Sequence, residues 1–263
     1  MWLGRNSDGE IFCHVFSFRP DKCVASLQVT SSMNNVVCLK VGDKYDAEYV
    51  NKLYRACKRN LTIDFKFHCF TEDDSYLDKD MIIHELPVKD YPFIKAWWWK
   101  AYLHKEGLFD QTDTNLYIDL DMVIVDNIDK FFTYEPSSLY VSCLQPVRKV
   151  GLFNYLFRWK GSFDKVWDLV NLNQSLMRTY RSDQEYINDL LFEVTTFFPV
   201  DWVKSYKWEI RSTSDVIKIE GTQINLFKDI KNPEVPKDTS IFAFHGTPTL
   251  DSVKDPIILK HWY

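Results

Sequence analysis

No run of the chain approaches the 18 or so consecutive apolar residues of a membrane-spanning helix. Met1-Trp2-Leu3-Gly4-Arg5-Asn6 also lacks an apolar stretch of the signal-peptide kind. The expectation is a soluble protein that stays in the cytoplasm where it is made, whether cellular or virus-encoded. No Lys/Arg-rich block appears, and the net charge is −5. Phosphate contacts by such residues supply most of the affinity for polyanions, so the charge argues against nucleic acid as a partner. The six cysteines (Cys13, Cys23, Cys38, Cys57, Cys69 and Cys143) show no Cys-x-x-Cys spacing, and several sit in apolar, strand-like runs. They read as reduced, buried thiols and not as a disulfide framework or a zinc site. Internal repeats, low-complexity tracts and linkers are absent too, so one domain is expected over residues 1–263.

What the chain has in quantity is aromatic. Aromatic residues make up 16% of it, with 9 Trp and 14 Tyr. Most such rings fill a core, although the flat face of a sugar also packs on an aromatic face. Apolar runs alternate with helical periodicity along the first half. Ile11–Phe18 and Cys23–Thr30 flank the turn-forming Arg19-Pro20-Asp21-Lys22 and predict a β-hairpin in front of the main fold (1–34). Val36–Val41 reads as a strand buried in a parallel sheet. A helix over Asp46–Arg59 follows, with Tyr49, Val50, Leu53, Tyr54 and Cys57 on one face.

Strands are expected at Phe65–Phe70 and Met81–Leu86. After Pro92 comes a helix with Ile94, Trp97, Trp98, Ala101 and Tyr102 facing the core, then a strand at Asn115–Ile118. This alternation predicts an α/β fold with a mostly parallel central sheet flanked by helices. The second half is less regular. It carries a strand at Ser138–Leu144, helices over Phe163–Leu176 and Ser182–Phe192, and a last strand at Ile241–Phe244.

The chemistry concentrates where a strand ends. Asp-x-Asp alone is weak, because 26 Asp in 263 residues supply about two or three such patterns by chance. Asp78-Lys79-Asp80 lies in a charged run and reads as a solvated loop. Asp119-Leu120-Asp121 instead ends the apolar Leu116-Tyr117-Ile118 and leads directly into Met122-Val123-Ile124-Val125. Two carboxylates in such company are costly to bury unpaired. Ligands of open α/β sheets gather at the carboxyl ends of the strands. Alternate residues at a strand end can point the same way, so both could meet one hard cation. That ion could bridge two phosphates and neutralise a departing nucleoside diphosphate.

With these residues in view, roughly 35–263 resembles the GT-A glycosyltransferases, and among them the small family 8-like bacterial and viral members. The segments that carry the resemblance stand in order. They are Val36–Asp46 with Ala47–Tyr54, Cys69-Phe70-Thr71-Glu72-Asp73, Trp97-Trp98-Trp99-Lys100, Leu116–Asp121, Ser182-Asp183-Gln184 and Phe244-His245-Gly246-Thr247-Pro248. The resemblance implies a Rossmann-like GT-A fold, with a nucleotide-sugar-binding half at 35–130 and an acceptor-side half at 131–263. It implies transfer of a hexose from a UDP-sugar to a hydroxyl of a carbohydrate, glycoprotein or glycolipid, with retention at the anomeric carbon.

The implied metal is Mn²⁺ (or Mg²⁺), held by Asp119, Asp121 and His245, with Asp119 also near the ribose. An imidazole ligand suits a transition metal better than Mg²⁺. Val41, Gly42 and Tyr45 would surround the uracil, Lys100 and Leu120 would lie along the donor, and Gly246 would let backbone approach a phosphate. Asn154 would touch the donor sugar. Asp183 would bind its hydroxyls, and Gln184 would lie beneath the anomeric carbon. A local reason for that last segment stands beside the functional one: Ser182-x-x-Glu185 is a capping box, and Asp183 in a first turn suits the helix dipole.

One position departs from the family pattern. Thr249 stands where the family carries a lysine that grips the diphosphate, and Lys254, Lys207 or Lys260 are the available substitutes. Two rival functions use the same residues. A haloacid-dehalogenase-type phosphatase would use Asp119 as nucleophile, but it usually needs a downstream Asp-Asp or Gly-Asp-x-x-x-Asp, and neither occurs after residue 121. A non-catalytic sugar- or nucleotide-binding module on the same fold is the other.

Overall fold

The computed structural model describes residues 3–5, 11–13, 32–144, 151–219 and 222–263, with the side chains of 3–5, 11–13, 96, 213–219 and 222–229 left aside. Contacts divide the chain into Met1–Ser31 and Ser32–Tyr263. In the first unit β1 (Leu3–Arg5) pairs antiparallel with β2 (Ile11–Cys13), Gly4 opposite Phe12. Ile11–Cys13 is a strand, as expected, and on one edge it pairs with a segment upstream, across the turn-forming composition of Asn6-Ser7-Asp8-Gly9-Glu10. The expected strand at Cys23–Thr30 lies outside the described residues.

The second unit begins as the periodicity predicts. It opens with β3 (Asn34–Lys40), α1 (Ala47–Asn60), β4 (Lys66–Thr71) and β5 (Ile82–Glu85). Asp46 caps α1, its carboxylate accepting from the Tyr49 amide. A 3-10 helix (Ala96–His104), β6 (Thr114–Ile118), β7 (Met122–Ile124) and α2 (Asp129–Thr133) follow. Next come β8 (Tyr140–Leu144), β9 (Leu152–Lys160), α3 (Asp164–Leu172), α4 (Leu176–Thr179) and α5 (Asp183–Leu191). The remainder holds β10 (Thr195–Phe197), β11 (Val203–Ser205), β12 (Ser212–Ile219), β13 (Thr222–Asp229), β14 (Ile241–Ala243) and α6 (Pro256–Leu259). Among the described residues no helix is long and apolar enough to cross a membrane.

Seven strands form the central sheet in the order β10-β8-β9-β6-β3-β4-β5. Every pairing is parallel except the two that β9 makes, so six strands run one way and β9 runs against them. The fold class is therefore the predicted α/β, mostly parallel sheet with helices on its faces. Alternate residues of β3 serve two cores. Val36 and Cys38 pack with Val50, Leu53 and Cys57 of α1, while Val37 and Leu39 pack with Trp98 and Trp99. Burial on both faces explains why this strand reads as an unbroken apolar run. Cys38, Cys57, Cys69 and Cys143 are free, buried thiols.

Two expectations are corrected here. The segment after Pro92 is a 3-10 helix, and three residues per turn change which side chains turn inward. Trp99 is buried and Trp97 is 52% exposed, the reverse of the expected assignment for Trp97. The expected helix over Phe163–Leu176 ends at Leu172, and Leu176 opens the separate short α4.

Strand β9 went unpredicted because Asn154 and Arg158 interrupt its apolar run although both are buried. The Arg158 guanidinium bonds to main chain through Nη1 and Nη2, while its buried Nε has no partner among the described residues. It donates to the carbonyls of Phe131, Phe132, Tyr134, Glu135 and Ser138, tying β9 to the α2–β8 connection. Bonds from a charged donor contribute more than neutral ones, and removing this one leaves five carbonyls to find other partners. Arg158→Met is expected to cost about 3 kcal/mol or more, read as a lowered urea midpoint. An unchanged midpoint would show that the guanidinium holds nothing.

Candidate active site

The site grows out of the end of β6. The Asp119 amide donates to the carbonyl of Tyr155 on β9 at 2.8 Å, which holds the chain as it leaves the sheet. Tyr117 and Asp119, two residues apart, share a face, and the Tyr117 hydroxyl donates to Asp119 Oδ1. The other oxygen, Oδ2, accepts from Lys100 Nζ at 2.8 Å. Lys100 also donates to the Asn154 carbonyl at 3.0 Å. Burial alone would depress the Lys100 ammonium. The nearby charges of Asp119, Asp183 and Asp121 outweigh it and hold its pKa above the ordinary value.

Asp121 is placed differently. Tyr45 donates its hydroxyl to Oδ2 at 2.6 Å, and the Phe244 amide donates to the Asp121 carbonyl at 3.1 Å. Burial, and then the charge of Asp119, raises the pKa of its carboxyl. A carboxylate whose charge is disfavoured beside a second one at a strand end is suited to a cation. Around them lies a cleft of about 130 Å³ lined by Leu39, Val41, Lys44, Tyr45, Trp97, Lys100, Tyr117, Asp119 and Asp121. Val41, Tyr45, Lys100, Asp119 and Asp121 of the expected donor set thus share one cavity. Gly42 adjoins it, at φ +66°, with its amide donating to Glu72 at 2.5 Å. A Cβ there would meet nothing within 4 Å, so the positive φ, and not crowding, is what favours glycine. Leu120 turns its side chain into the core, leaving its backbone for a ligand.

Asp183 answers the question its sequence left open. Ser182 Oγ accepts from the Glu185 amide, and Glu185 accepts from the Arg181 amide, so α5 is capped without Asp183. Its carboxylate is buried, and Oδ2 has no hydrogen-bond partner among the described residues. Both polar ends of the Asn154 side chain, 2% exposed, are equally unpartnered. Unmet buried polar groups of this kind are expected where a ligand supplies the missing bonds. Gln184 beside them is half-buried.

His245 is not gathered into the acidic cluster. Its Nε2 lies 2.6 Å from Ser205 Oγ, and its ring sits 4.1 Å from that of Trp208. Among the described residues no group of three His, Cys, Asp or Glu is placed to hold a metal. Its backbone is nevertheless close to the pair, because β14 runs antiparallel to β7 with Ala243 opposite Met122. Gly246, at φ +67°, has open space where a Cβ would be. Of the three lysines named as substitutes for the one missing at Thr249, Lys207 is the one whose charge, after burial, depresses His245.

Trp97, Lys44, Leu39 and Tyr117 belong to the cleft and were not named as site residues from the sequence. Period-two alternation with Asp119 was the available signal for Tyr117, and for Leu39 with Val41. Ser205 and Trp208, which occupy His245, carried no signal.

No family model and no curated protein matches the chain. Solved structures do. An active-site mutant of LgtC superposes with a TM-score of 0.57 at 10% identity, over 84% of this chain and 91% of that one. The galactosyltransferase LgtC in complex with donor and acceptor sugar analogues gives 0.56 at 11% identity, over 82% and 88%. The fold is that of the GT-A glycosyltransferases. On this GT-A scaffold Asp119 and Asp121 stand at the carboxyl end of a parallel strand, where such sheets collect ligands.

Burial pushes the Asp183 carboxyl from its ordinary 3.8 up to about 6, the Lys100 charge opposing and that of Asp119 reinforcing. The folded state holds this proton more tightly than the unfolded chain does. The carboxyl's contribution to stability is therefore complete below pH 3.8 and is lost as pH rises through about 6. Asp183→Asn should stabilise the fold by up to about 3 kcal/mol above pH 7 and change little at pH 3.5. Denaturation at both pH values checks this, and a gain equal at both would contradict it.

Proposed function

We propose that the protein is a metal-dependent glycosyltransferase that moves a hexose from a UDP-sugar to a hydroxyl acceptor, with retention at the anomeric carbon. The observation that carries the proposal is the carboxylate pair Asp119 and Asp121, bordering a lysine- and aromatic-lined cleft on a GT-A fold. Retention rests on the resemblance alone.

The two carboxylates fit a divalent cation, because the Asp121 charge is disfavoured as the site stands. The imidazole fits only after it gives up Ser205. Asp119 and Asp121 would hold Mn²⁺ or Mg²⁺, with His245 as third ligand. The ion would act as a Lewis acid toward the departing diphosphate. Val41 and Tyr45 would pack on the base, and Gly42 would offer backbone to it. Lys100, kept charged by its carboxylates, would hold Asp119 in place and lie along the donor. Asp183 and Asn154 would take the sugar hydroxyls, with Gln184 below the anomeric carbon.

In the transfer, the bond from the anomeric carbon to the diphosphate oxygen breaks and its electron pair stays with the diphosphate. A bond from the acceptor oxygen forms, and the acceptor proton leaves to the diphosphate. Of Lys254, Lys207 and Lys260, Lys207, whose charge reaches His245, would take the place of the lysine missing at Thr249.

Incubation with UDP-sugars and Mn²⁺, followed by assay of free UDP, tests the proposal. Asp119→Ala and Asp121→Ala should each abolish metal-dependent release, and release that survives both changes would remove the central claim. A phosphatase would instead free phosphate from a generic phosphomonoester, and a binding module would be stabilised by UDP without releasing it.

His245→Ala should raise the Mn²⁺ concentration needed for half-maximal release by roughly 10- to 100-fold, the range for loss of support at a metal site. A superimposable metal titration would leave His245 as Ser205's partner only.

A further inference from the structure

The cleft at Asp119 and Asp121, at about 130 Å³, is not the largest concavity. A second, of about 480 Å³, is lined by Phe93, Lys95, Gln174, Ser175, Met177 and Arg178. Its volume falls in the range of small-molecule sites, roughly 300–1,000 Å³. One wall is α4 with the two residues before it, and the other is the approach to the 3-10 helix. Lys95, the residue before that helix, lines the second cleft, and Trp97 lines the first. Cα atoms two residues apart are separated by at most about 7 Å. One short stretch of chain therefore borders both spaces.

The lining is specific in charge. Lys95 and Arg178 are exposed, and neither side chain finds a carboxylate among the described residues. Two cations without a carboxylate partner thus border one space. They repel each other, and an anion between them relieves that repulsion. The Arg178 fork suits the paired oxygens of a carboxylate or phosphate, and a lysine is a point-charge partner for either. Phe93 and Met177 give apolar surface for the face of a sugar ring. Gln174 and Ser175 supply donors and acceptors for hydroxyls. No acidic residue lines the cleft.

We propose that this cleft binds an acceptor sugar bearing a carboxylate or a phosphate, and presents its free hydroxyl past Trp97 to the donor. The inference deepens the transferase reading and rests on it for the word acceptor, while the anion site itself does not. The anionic group is held away from the reacting carbon, so its charge serves selection and not chemistry. Neutral hexoses lack the group that Lys95 and Arg178 would recognise.

Calorimetric titration of the full chain with glucose, glucuronic acid and glucose 6-phosphate tests it, at low and high salt. At least one acidic probe should bind about ten-fold or more tighter than glucose, with an advantage that shrinks as salt rises. The acid that binds distinguishes carboxylate from phosphate. Lys95→Ala with Arg178→Ala should remove that advantage, and Lys95→Arg should keep it. Both side chains are exposed, and circular dichroism of the double variant confirms that it folds. Equal binding of all three probes, or an acid preference that survives the double variant, overturns the proposal. Thermal stabilisation by UDP with Mn²⁺ should be the same in the double variant and the parent. Acid binding without UDP release from any donor would sink the transferase reading and leave the anion site standing. UDP release with no acid preference would do the opposite.

Discussion

The Lys100 ammonium is the point on which the site's architecture turns. It is nearly buried, with its side chain 11% exposed, and it reaches from the 3-10 helix to the end of β6 and to the backbone of β9. An ammonium out of water costs several kcal/mol unless charge and hydrogen bonds compensate. Here Asp119 and the Asn154 carbonyl do so, which fixes three elements relative to one another. The same contact aims Asp119 and leaves Asp121 to Tyr45. Buried charge of this kind adds little to net stability and much to geometry.

Around that point the polar groups divide into satisfied and unsatisfied. Lys100 and Tyr117 hold Asp119, and Tyr45 holds Asp121. Asp183 and Asn154 do not complete their bonds, although both are buried. A protein that needed these groups only for folding would have little reason to leave them unmet. The capping of α5 by Ser182 and Glu185 sharpens the contrast, because it releases Asp183 from the structural duty its position suggests.

The parallel half of the sheet was legible in the sequence because β3, β4 and β6 carry apolar runs separated by a helical period. The Asp119–Asp121 pair was legible for the same reason, since it interrupts apolar sequence at a strand end. What was not legible depends on contacts distant in sequence. Strand β9 hides behind Arg158, whose burial makes sense only once five carbonyls from another segment surround it. Trp97 was assigned to the core because helical periodicity assumes 3.6 residues per turn, which a 3-10 helix does not have. His245 was named as a ligand from the family resemblance of Phe244-His245-Gly246-Thr247-Pro248. Ser205 and Trp208, which engage it in the structure, belong to β11 and to the π-helical segment Tyr206–Ile210 that follows it.

The pairing of β7 with β14 also sets an order of assembly. Asp121 receives the Phe244 amide from a segment more than a hundred residues downstream. A nascent chain emerging from the ribosome can complete β3, α1 and β4, and even display both carboxylates, long before β14 exists. Contacts of such sequence separation form late, because the loop they close must first lose its freedom. During synthesis the acidic pair therefore stands with one wall missing. Asp121 then lacks the amide that later engages its carbonyl, so its final placement belongs only to the chain whose last strand has docked.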